Sequence, residues 1–198
     1  MNSEDLTGLF FGSFNPIHHG HLVIASHLVQ VVGLKQVWFV VSPHNPLKDK
    51  LGLANDYERL NMVNLAIEND TNIQSSDIEF GLSQPNYTIN TLLLLEEKYP
   101  TRNFTLIMGS DTFNTLIKWK NYEQIIQKYP IQIFLRPNHL PDSELLKDAH
   151  PNTVVLENTP QMEISASYIR SLIKANKEPK YLLPVEIWKY IDKWGLYL

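Results

Sequence analysis

The sequence predicts an α/β protein whose sheet is mainly parallel and doubly wound, with helices on both faces. Short apolar runs rich in β-branched and aromatic residues alternate along the chain with stretches of helical periodicity. This alternation is typical of successive strand–helix–strand units. The run over residues 36–42 is apolar almost without interruption, as expected of a parallel strand that is buried on both faces.

The individual elements follow from these patterns in order. Residues 6–11 form the first strand, and apolar residues at helical spacing between Leu22 and Val32 form the first helix, which Gly33 ends. Further strands are expected at 36–42, 73–79, 104–108, 131–135 and 154–156. Further helices are expected at 56–68, 87–99, 122–129, shortly after 165 and from about 184 to 194. Since strand–helix–strand crossovers are right-handed, the sheet should be Rossmann-like. The sequence nevertheless lacks the Gly-x-Gly-x-x-Gly and P-loop patterns.

Length and composition limit the classes of function. The chain has 198 residues, 43% of them hydrophobic, which suits one domain over 1–198 with a helical portion over about 165–198. Its net charge of −4 argues against a nucleic-acid partner. The sequence has no apolar run long enough to span a membrane, so no membrane partner is expected. The absence of cysteine, together with a start unlike a signal peptide, favours a cytoplasmic protein.

The most informative stretch is the turn between the first strand and the first helix, residues 12–21, with the sequence Gly-Ser-Phe-Asn-Pro-Ile-His-His-Gly-His. Its first five residues shape a turn, so His18 and His21 fall at the start of the helix. A helix N-terminus offers unpaired N–H groups and the positive end of the macrodipole, and imidazoles add donors. The turn therefore predicts a phosphate site. A solvent-facing polar loop is the alternative, and zinc is set aside because a second ligand cluster is missing.

The His-x-Gly-His of this turn resembles the signature of the nucleotidylyltransferase superfamily. Residues 12–17 resemble the nicotinate and nicotinamide mononucleotide adenylyltransferases in particular. The resemblance implies that His18 and His21 contact the triphosphate of ATP, with His21 nearest the α-phosphate. It also implies that Gly12, Ser13 and Phe14 lie against ATP and that Asn15 contacts the second substrate.

The loop over residues 42–50 follows the second strand and contains two prolines, so it is not helical. It should lie at the same edge of the sheet as the first turn. It is either a solvated basic loop or similar to the family's Pro-x-x-x-Pro-x-Lys loop, which implies that Lys48 contacts the phosphate of the mononucleotide. Arg59, on the next helix, is interpreted as a side chain near Glu58 rather than as a partner of this loop.

Two later segments also resemble the family. Residues 83–92 are similar to its Ser-x-Tyr-Thr-x-Asp-Thr-Leu segment, with Asn90 in place of Asp. This implies that groups around Tyr87 and Thr88 meet the pyridine carboxylate or amide, whereas the alternative is a plain helix cap. Residues 109–119 match Gly-x-Asp-x-x-x-x-Leu-x-x-Trp. This implies that Gly109 and Asp111 lie against adenosine and that Trp119 stacks on nicotinate, the alternative for Trp119 being a core aromatic.

The last two matches follow later strands. Arg136-Pro137 corresponds to an Arg-Pro of the family and implies a substrate contact. Residues 164–170, Ile-Ser-Ala-Ser-Tyr-Ile-Arg, place Arg170 near the start of a helix that Ser165 or Ser167 caps, which predicts a second anion site. They resemble the family's Ile-Ser-Ser-Thr-x-Ile-Arg. The resemblance implies that these three residues hold the β- and γ-phosphates, with Arg170 catalytic alongside the two histidines.

The resemblance extends from residue 12 to residue 170 and implies an adenylyltransferase of NAD biosynthesis that transfers AMP from ATP to nicotinate mononucleotide. Mg²⁺, bound mainly through ATP, is the implied cofactor, and a homo-oligomer is compatible with the sequence. Three alternatives stay open. They are a nicotinamide or dual specificity, a phosphopantetheine adenylyltransferase, and a nucleotide-binding module without catalysis. The segment 138–152 has no assigned role.

Overall fold

The computed structural model describes residues 6–43 and 52–198, and its centre is a six-stranded sheet. The strands are β1 (Leu6–Gly12), β2 (Gln36–Val41), β3 (Ile73–Ser76), β4 (Asn103–Gly109), β5 (Ile131–Phe134) and β6 (Val154–Leu156). Their order is β3-β2-β1-β4-β5-β6, and every neighbouring pair is parallel. The strand order reverses between β1 and β4, which places a ligand crevice at their carboxyl ends. The predicted Rossmann-like class is confirmed.

Helices connect the strands. They are α1 (His19–Gln30), α2 (Asp56–Ala66), α3 (Thr88–Lys98), α4 (Ser110–Phe113), α5 (Tyr122–Lys128), α6 (Ser143–Asp148), α7 (Ala166–Lys174) and α8 (Val185–Trp194). Short 3-10 helices occupy Ile78–Gly81 and Leu116–Lys118. The third strand ends three residues before its predicted end, because the chain turns there into the first 3-10 helix. In the described ranges, no helix combines the length and the apolar character needed to cross a membrane.

The sheet separates two apolar clusters, because alternate residues of a strand face opposite sides. In β1, Phe10 faces the cluster that contains Ile24 of α1, whereas Leu9 faces the cluster that contains Leu92 of α3. Helices α2, α7 and α8 contribute to the first cluster, and α5 and α6 contribute to the second. Helices therefore cover both faces, and the polar turns that follow the strands are left at the edge of the sheet.

Candidate active site

The turn after β1 is built on Phe14, which is 1% exposed and adopts a left-handed backbone with φ of 44°. Its ring lies over Gly12, where an added Cβ would come within 2.8 Å of Cζ. The same ring contacts Phe39 and His21 edge to face, at 5.1 Å between ring centroids in each case. Phe14 was expected against ATP, but the structure buries its ring in the core, where it supports the ring of His21.

The two signature histidines stack on each other at the start of α1, with ring centroids 3.7 Å apart and planes inclined by 22°. The N–H of His18, the N-cap residue, donates to Nδ1 of His21 at 3.3 Å. When Nδ1 accepts, the proton of a neutral imidazole is on Nε2. Between them, Gly20 leaves room for the His18 ring, because a Cβ there would lie 3.0 Å from its Nδ1. The packing of the two rings thus explains why a glycine lies immediately before His21 in the His-x-Gly-His signature.

His18 is a buried imidazole in a positive environment. It is 3% exposed, and burial lowers its pKa to about 4, with further lowering by the charges of Arg136 and His19. It is therefore neutral at pH 7. Among the described residues its Nδ1 has no hydrogen-bond partner, and a buried polar atom without a partner is costly in free energy. The ring is thus placed to bind a polar partner that the described residues do not supply.

The two predicted phosphate motifs meet through Arg170. The helix α7 begins with Ser165, whose Oγ accepts the N–H of Tyr168 at 3.1 Å. One turn later, Nη1 of Arg170 donates to the backbone carbonyl of Asn15 at 2.8 Å, and Nη2 donates to Oγ of Ser167 at 3.3 Å. Both serines are exposed. Two segments 155 residues apart in sequence thereby form one edge of the same crevice.

Asn15 lies at the centre of this edge and is 1% exposed. Its Nδ2 donates to the carbonyl of Gly52 at 2.9 Å, and its Oδ1 accepts the N–H of Ala54 at 3.0 Å. The hydroxyl of Tyr197 also donates to Oδ1, at 2.8 Å. Asn15 was expected to contact the second substrate, but these bonds join three segments of the protein. These bonds occupy the amide oxygen twice and use one of the two hydrogens of Nδ2.

Arg59 corrects one interpretation of the sequence, because it was expected near Glu58 but is buried with 0% exposure and contacts Ser42, the first residue of the loop after β2. Its guanidinium donates to the carbonyls of Ser13 and Ser42 at 2.6 Å and 2.9 Å. It also donates to Oδ1 of Asp56 at 2.6 Å. The sequence held a signal for this placement, since Arg59 precedes the buried residues Met62 and Val63 by three and four positions and so shares their helix face.

The turn after β4 is closed by contacts between side chains and backbone. At Gly109 an added Cβ would overlap Oδ1 of Asp111 and would lie 3.1 Å from Cγ of Arg136. The buried hydroxyl of Ser110 donates to the carbonyl of His139 at 2.7 Å and accepts the N–H of Arg136 at 2.9 Å. Ser110 thus joins the turns after β4 and β5, a role for which the sequence offers no signal.

Arg136 places a cation beside the histidines. Its guanidinium carbon lies 5.3 Å from the centroid of the Phe134 ring, and its charge contributes to the lowered pKa of His18. In the described ranges, its guanidinium donates to no carboxylate or carbonyl oxygen. It therefore remains available to an anion in the crevice.

The other predicted contacts have mixed outcomes. Thr88 begins α3, and among the described residues no side chain caps this helix. Nδ2 of Asn86 donates to the carbonyl of Glu79. Tyr87 is half-buried and lies 4.5 Å from Nζ of Lys120. Trp119 is half-buried at the border of the second apolar cluster, so core packing and stacking on a ligand both fit. Lys48 lies outside the described residues.

The donor set of the crevice suits anions better than metal ions. His18, His21, Arg136 and Arg170 contribute donors, whereas Asp111 is the predicted site residue that carries a carboxylate. Within 6–43 and 52–198, no group of three or more histidine, aspartate or glutamate side chains could hold a metal ion.

Sequence comparison identifies the family to which the chain belongs. Residues 9–172 match the cytidylyltransferase-like family. Proteins described as probable nicotinate-nucleotide adenylyltransferases from Flavobacterium psychrophilum and Flavobacterium johnsoniae are each 49% identical. Both alignments cover 96% of this chain and 97% of the relative. A third relative so described, from Christiangramia forsetii, is 45% identical over the same shares.

Solved structures share the fold. The nicotinic acid mononucleotide adenylyltransferase of Plasmodium falciparum, complexed with NaAD, superposes with a TM-score of 0.80 at 23% identity, over 97% of both chains. A structure described as a putative nicotinate-nucleotide adenylyltransferase from Vibrio parahaemolyticus gives a TM-score of 0.70 at 19% identity, over 97% of this chain and 94% of that one. The family model and the relatives at 45–49% identity together show that the chain belongs to the cytidylyltransferase-like family and, within it, to the nicotinate-nucleotide adenylyltransferases.

Proposed function

We propose that this protein transfers the adenylyl group of ATP to nicotinate mononucleotide, giving nicotinate adenine dinucleotide and pyrophosphate. The observation that carries the proposal is the hydrogen bond from Arg170 to the carbonyl of Asn15. It joins the start of α7 to the turn that bears the stacked histidines. Two helix N-termini and two arginines then face one crevice, which suits a long polyanion such as a triphosphate.

The reaction needs no general base. A phosphate oxygen of the mononucleotide is already anionic at neutral pH and attacks the α-phosphorus of ATP. The bond between this oxygen and phosphorus forms while the bond from phosphorus to the α–β bridging oxygen breaks, and the electron pair leaves with pyrophosphate. Catalysis is then a matter of positioning the two substrates and stabilising the developing charge.

The placement of the site residues supports a role for each of them. The Nε2–H of His21 points away from its bonded Nδ1 and would donate to an oxygen of the α-phosphate. His18 would contribute a second, neutral contact. Arg170, with Ser165 and Ser167 at the start of α7, would hold the β- and γ-phosphates.

The remaining predicted contacts belong to the two ends of the substrates. Gly12 and Ser13 would present backbone groups to ATP, and Gly109 and Asp111 would lie against adenosine. The acceptor side would be formed by Lys48, Tyr87, Thr88, Trp119 and Arg136.

Mg²⁺ would be carried into the site by the nucleotide. The described residues provide no protein cage for a metal ion, whereas triphosphate oxygens and water are the hard ligands that Mg²⁺ prefers. When bound, the ion would neutralise part of the charge on the leaving pyrophosphate. The protein's contribution would be the arginines and imidazoles that hold the same phosphates from the other side.

The test is pyrophosphate release from ATP and Mg²⁺ with three acceptors offered separately. We expect a strong preference for nicotinate mononucleotide over nicotinamide mononucleotide. Comparable rates with both would keep the chemistry and make the enzyme dual-specific. Release with phosphopantetheine alone would move the activity to another branch of the superfamily. Binding of ATP without release for any acceptor would refute the proposal and leave a nucleotide-binding module.

A further inference from the structure

We propose that Tyr197 is a positioning residue of the phosphate-binding edge and that it acts through Asn15 on Arg170. The proposal rests on the function proposed above and adds a residue that the family signatures do not contain. Tyr197 lies 182 residues from Asn15 in sequence. It follows the last helix, within the portion of the chain that the sequence predicts only to be helical.

The backbone after α8 directs Tyr197 to the site. Gly195 ends the helix in a left-handed conformation with φ of 59°, which turns the chain back. The hydroxyl of Tyr197 then reaches Oδ1 of Asn15 at 2.8 Å. The ring packs against the apolar cluster that also contains Phe14 and Ile17. Both the ring and the hydroxyl are thus placed on the turn that follows β1.

The direction of this hydrogen bond is fixed by the other bonds of Asn15. The carbonyl of Gly52 can only accept, so it requires the amide nitrogen of Asn15, and the N–H of Ala54 can only donate, so it requires the amide oxygen. Tyr197 faces that oxygen and must therefore donate its proton. Burial raises the pKa of the Tyr197 hydroxyl, although the nearby charges of Arg170 and Arg59 oppose this. The hydroxyl thus stays protonated, and a donor, at neutral pH.

Asn15 connects the hydrogen bond from Tyr197 to the position of Arg170. The carbonyl of Asn15 is the buried anchor of the Arg170 guanidinium, at 2.8 Å, while its other anchor is the exposed hydroxyl of Ser167 at 3.3 Å. Without the Tyr197 proton, Oδ1 of Asn15 keeps one donor instead of two. The amide and the adjoining carbonyl then gain freedom, and the arginine loses the fixed geometry that bidentate phosphate binding requires.

The variant Tyr197→Phe tests this route, because it removes the hydroxyl and keeps the ring. The matched control is Tyr181→Phe, which removes a hydroxyl from a side chain that is 86% exposed. The first readout is equilibrium binding of α,β-methylene-ATP, which needs no turnover. We expect Tyr197→Phe to weaken binding about tenfold, the loss typical of one buried hydrogen bond. We expect Tyr181→Phe to bind like the wild type.

A double-mutant cycle identifies the route. Arg170→Lys keeps the charge and removes the fork, so adding Tyr197→Phe to it should weaken binding further by less than about twofold. Full additivity of the two changes would overturn the action through Arg170. Wild-type affinity in Tyr197→Phe, even with a lowered melting temperature, would overturn the proposal and leave a purely structural contact.

Pyrophosphate release separates this proposal from the proposed function. If the wild type binds the analogue but releases no pyrophosphate with any acceptor, the proposed function fails while the binding comparison still decides the role of Tyr197. If the wild type turns over and Tyr197→Phe matches it in both affinity and kcat/KM, the role of Tyr197 alone is refuted. A wild type that does not bind the analogue would overturn both.

Discussion

The backbone N–H of His18 donates to Nδ1 of His21, and the two imidazoles stack 3.7 Å apart at the first turn of α1. In the neutral form of His21 this bond places the ring proton on Nε2. The buried ring of Phe14 packs edge to face against the ring of His21. A donor is therefore preorganised at a helix N-terminus, which is the arrangement that stabilises charge developing on a phosphate.

Replacement of His21 by alanine should lower kcat far more than it changes the KM for ATP. The Nε2 donor would act mainly on charge that develops in the transition state, and loss of one such donor typically costs about 10²–10³ in kcat. Steady-state pyrophosphate release with nicotinate mononucleotide measures both constants. His27→Ala, at the far end of the same helix, is the control and should turn over like the wild type. Near-normal turnover of His21→Ala would show that His21 takes no part in catalysis.

The buried His18 should make the protein less stable as the pH falls. Its folded pKa of about 4 lies below the usual value of 6.5, chiefly because of burial. Between these two values the unfolded chain binds a proton that the folded chain does not. The free energy of unfolding therefore decreases from pH 6.5 down to about pH 4, and the contribution of this group is then constant at lower pH. The full shift corresponds to about 3 kcal/mol.

This pH effect is measured as the difference between the wild type and His18→Asn in urea unfolding at pH 7 and pH 4.5. The carboxylates titrate in both proteins, so their contribution cancels in the comparison. We expect the wild type to lose more stability than the variant on acidification, with most of the excess lost by pH 4.5. Equal losses in the two proteins would show that His18 is not buried in its neutral form.

Loss of the Arg59 guanidinium should destabilise the whole edge of the sheet. In Arg59→Met the buried carbonyl of Ser42 and the half-buried carbonyl of Ser13 lose a charged donor, which typically costs about 3 kcal/mol. Urea unfolding measures this loss. Asp56→Ala is the comparison: its carboxylate is 37% exposed, and it should cost less than Arg59→Met, because the buried guanidinium keeps its carbonyl partners. A larger loss in Asp56→Ala would mean that the ion pair, rather than the carbonyls, defines the role of Arg59.

The contrast between Arg59 and the first turn explains what the sequence could predict. The turn after β1 is specified locally, by an apolar strand, turn-forming residues and a helix start, so its place in the fold and the position of its histidines at the helix start were predictable. Arg59 instead depends on carbonyls from two distant segments that meet only in the folded protein. Its helical spacing with Met62 indicated burial but not its partners.

The same reason accounts for the other omissions. The 3-10 helix that shortens β3 is held by Glu79, whose side chain is buried and accepts the hydroxyl of Thr91 at 2.6 Å. Ser110 and Tyr197 act through partners 26 or more residues away. Glu79 and Tyr197 lie outside the family signatures, and Ser110 occupies an unspecified position of the Gly-x-Asp motif. Contacts between loops are therefore the part of the site that sequence reasoning could not supply.

Replacement of Gly109 by alanine should raise the KM for ATP. The new Cβ would occupy the position of Oδ1 of Asp111 and would press on Cγ of Arg136, so the carboxylate proposed to contact ribose must move. We expect an increase of about tenfold with a smaller change in kcat, as for a lost binding contact. Gly81→Ala is the control, since an added Cβ there meets no atom within 4 Å. An unchanged KM in Gly109→Ala would show that Asp111 takes no part in nucleotide binding.

Removal of divalent metal should abolish activity without affecting the folded protein. Because the described residues contain no group that could hold a metal ion, Mg²⁺ is expected to enter with the triphosphate and to contribute nothing to the stability of the free protein. With EDTA, pyrophosphate release should fall to background while the melting temperature of the nucleotide-free protein stays constant. Added Mg²⁺ should restore the rate in proportion to the concentration of the Mg²⁺–ATP complex at subsaturating levels. A melting temperature that falls with EDTA in the absence of nucleotide would instead indicate a resident metal, and the carboxylate of Asp111 would be the first ligand to test by substitution with asparagine.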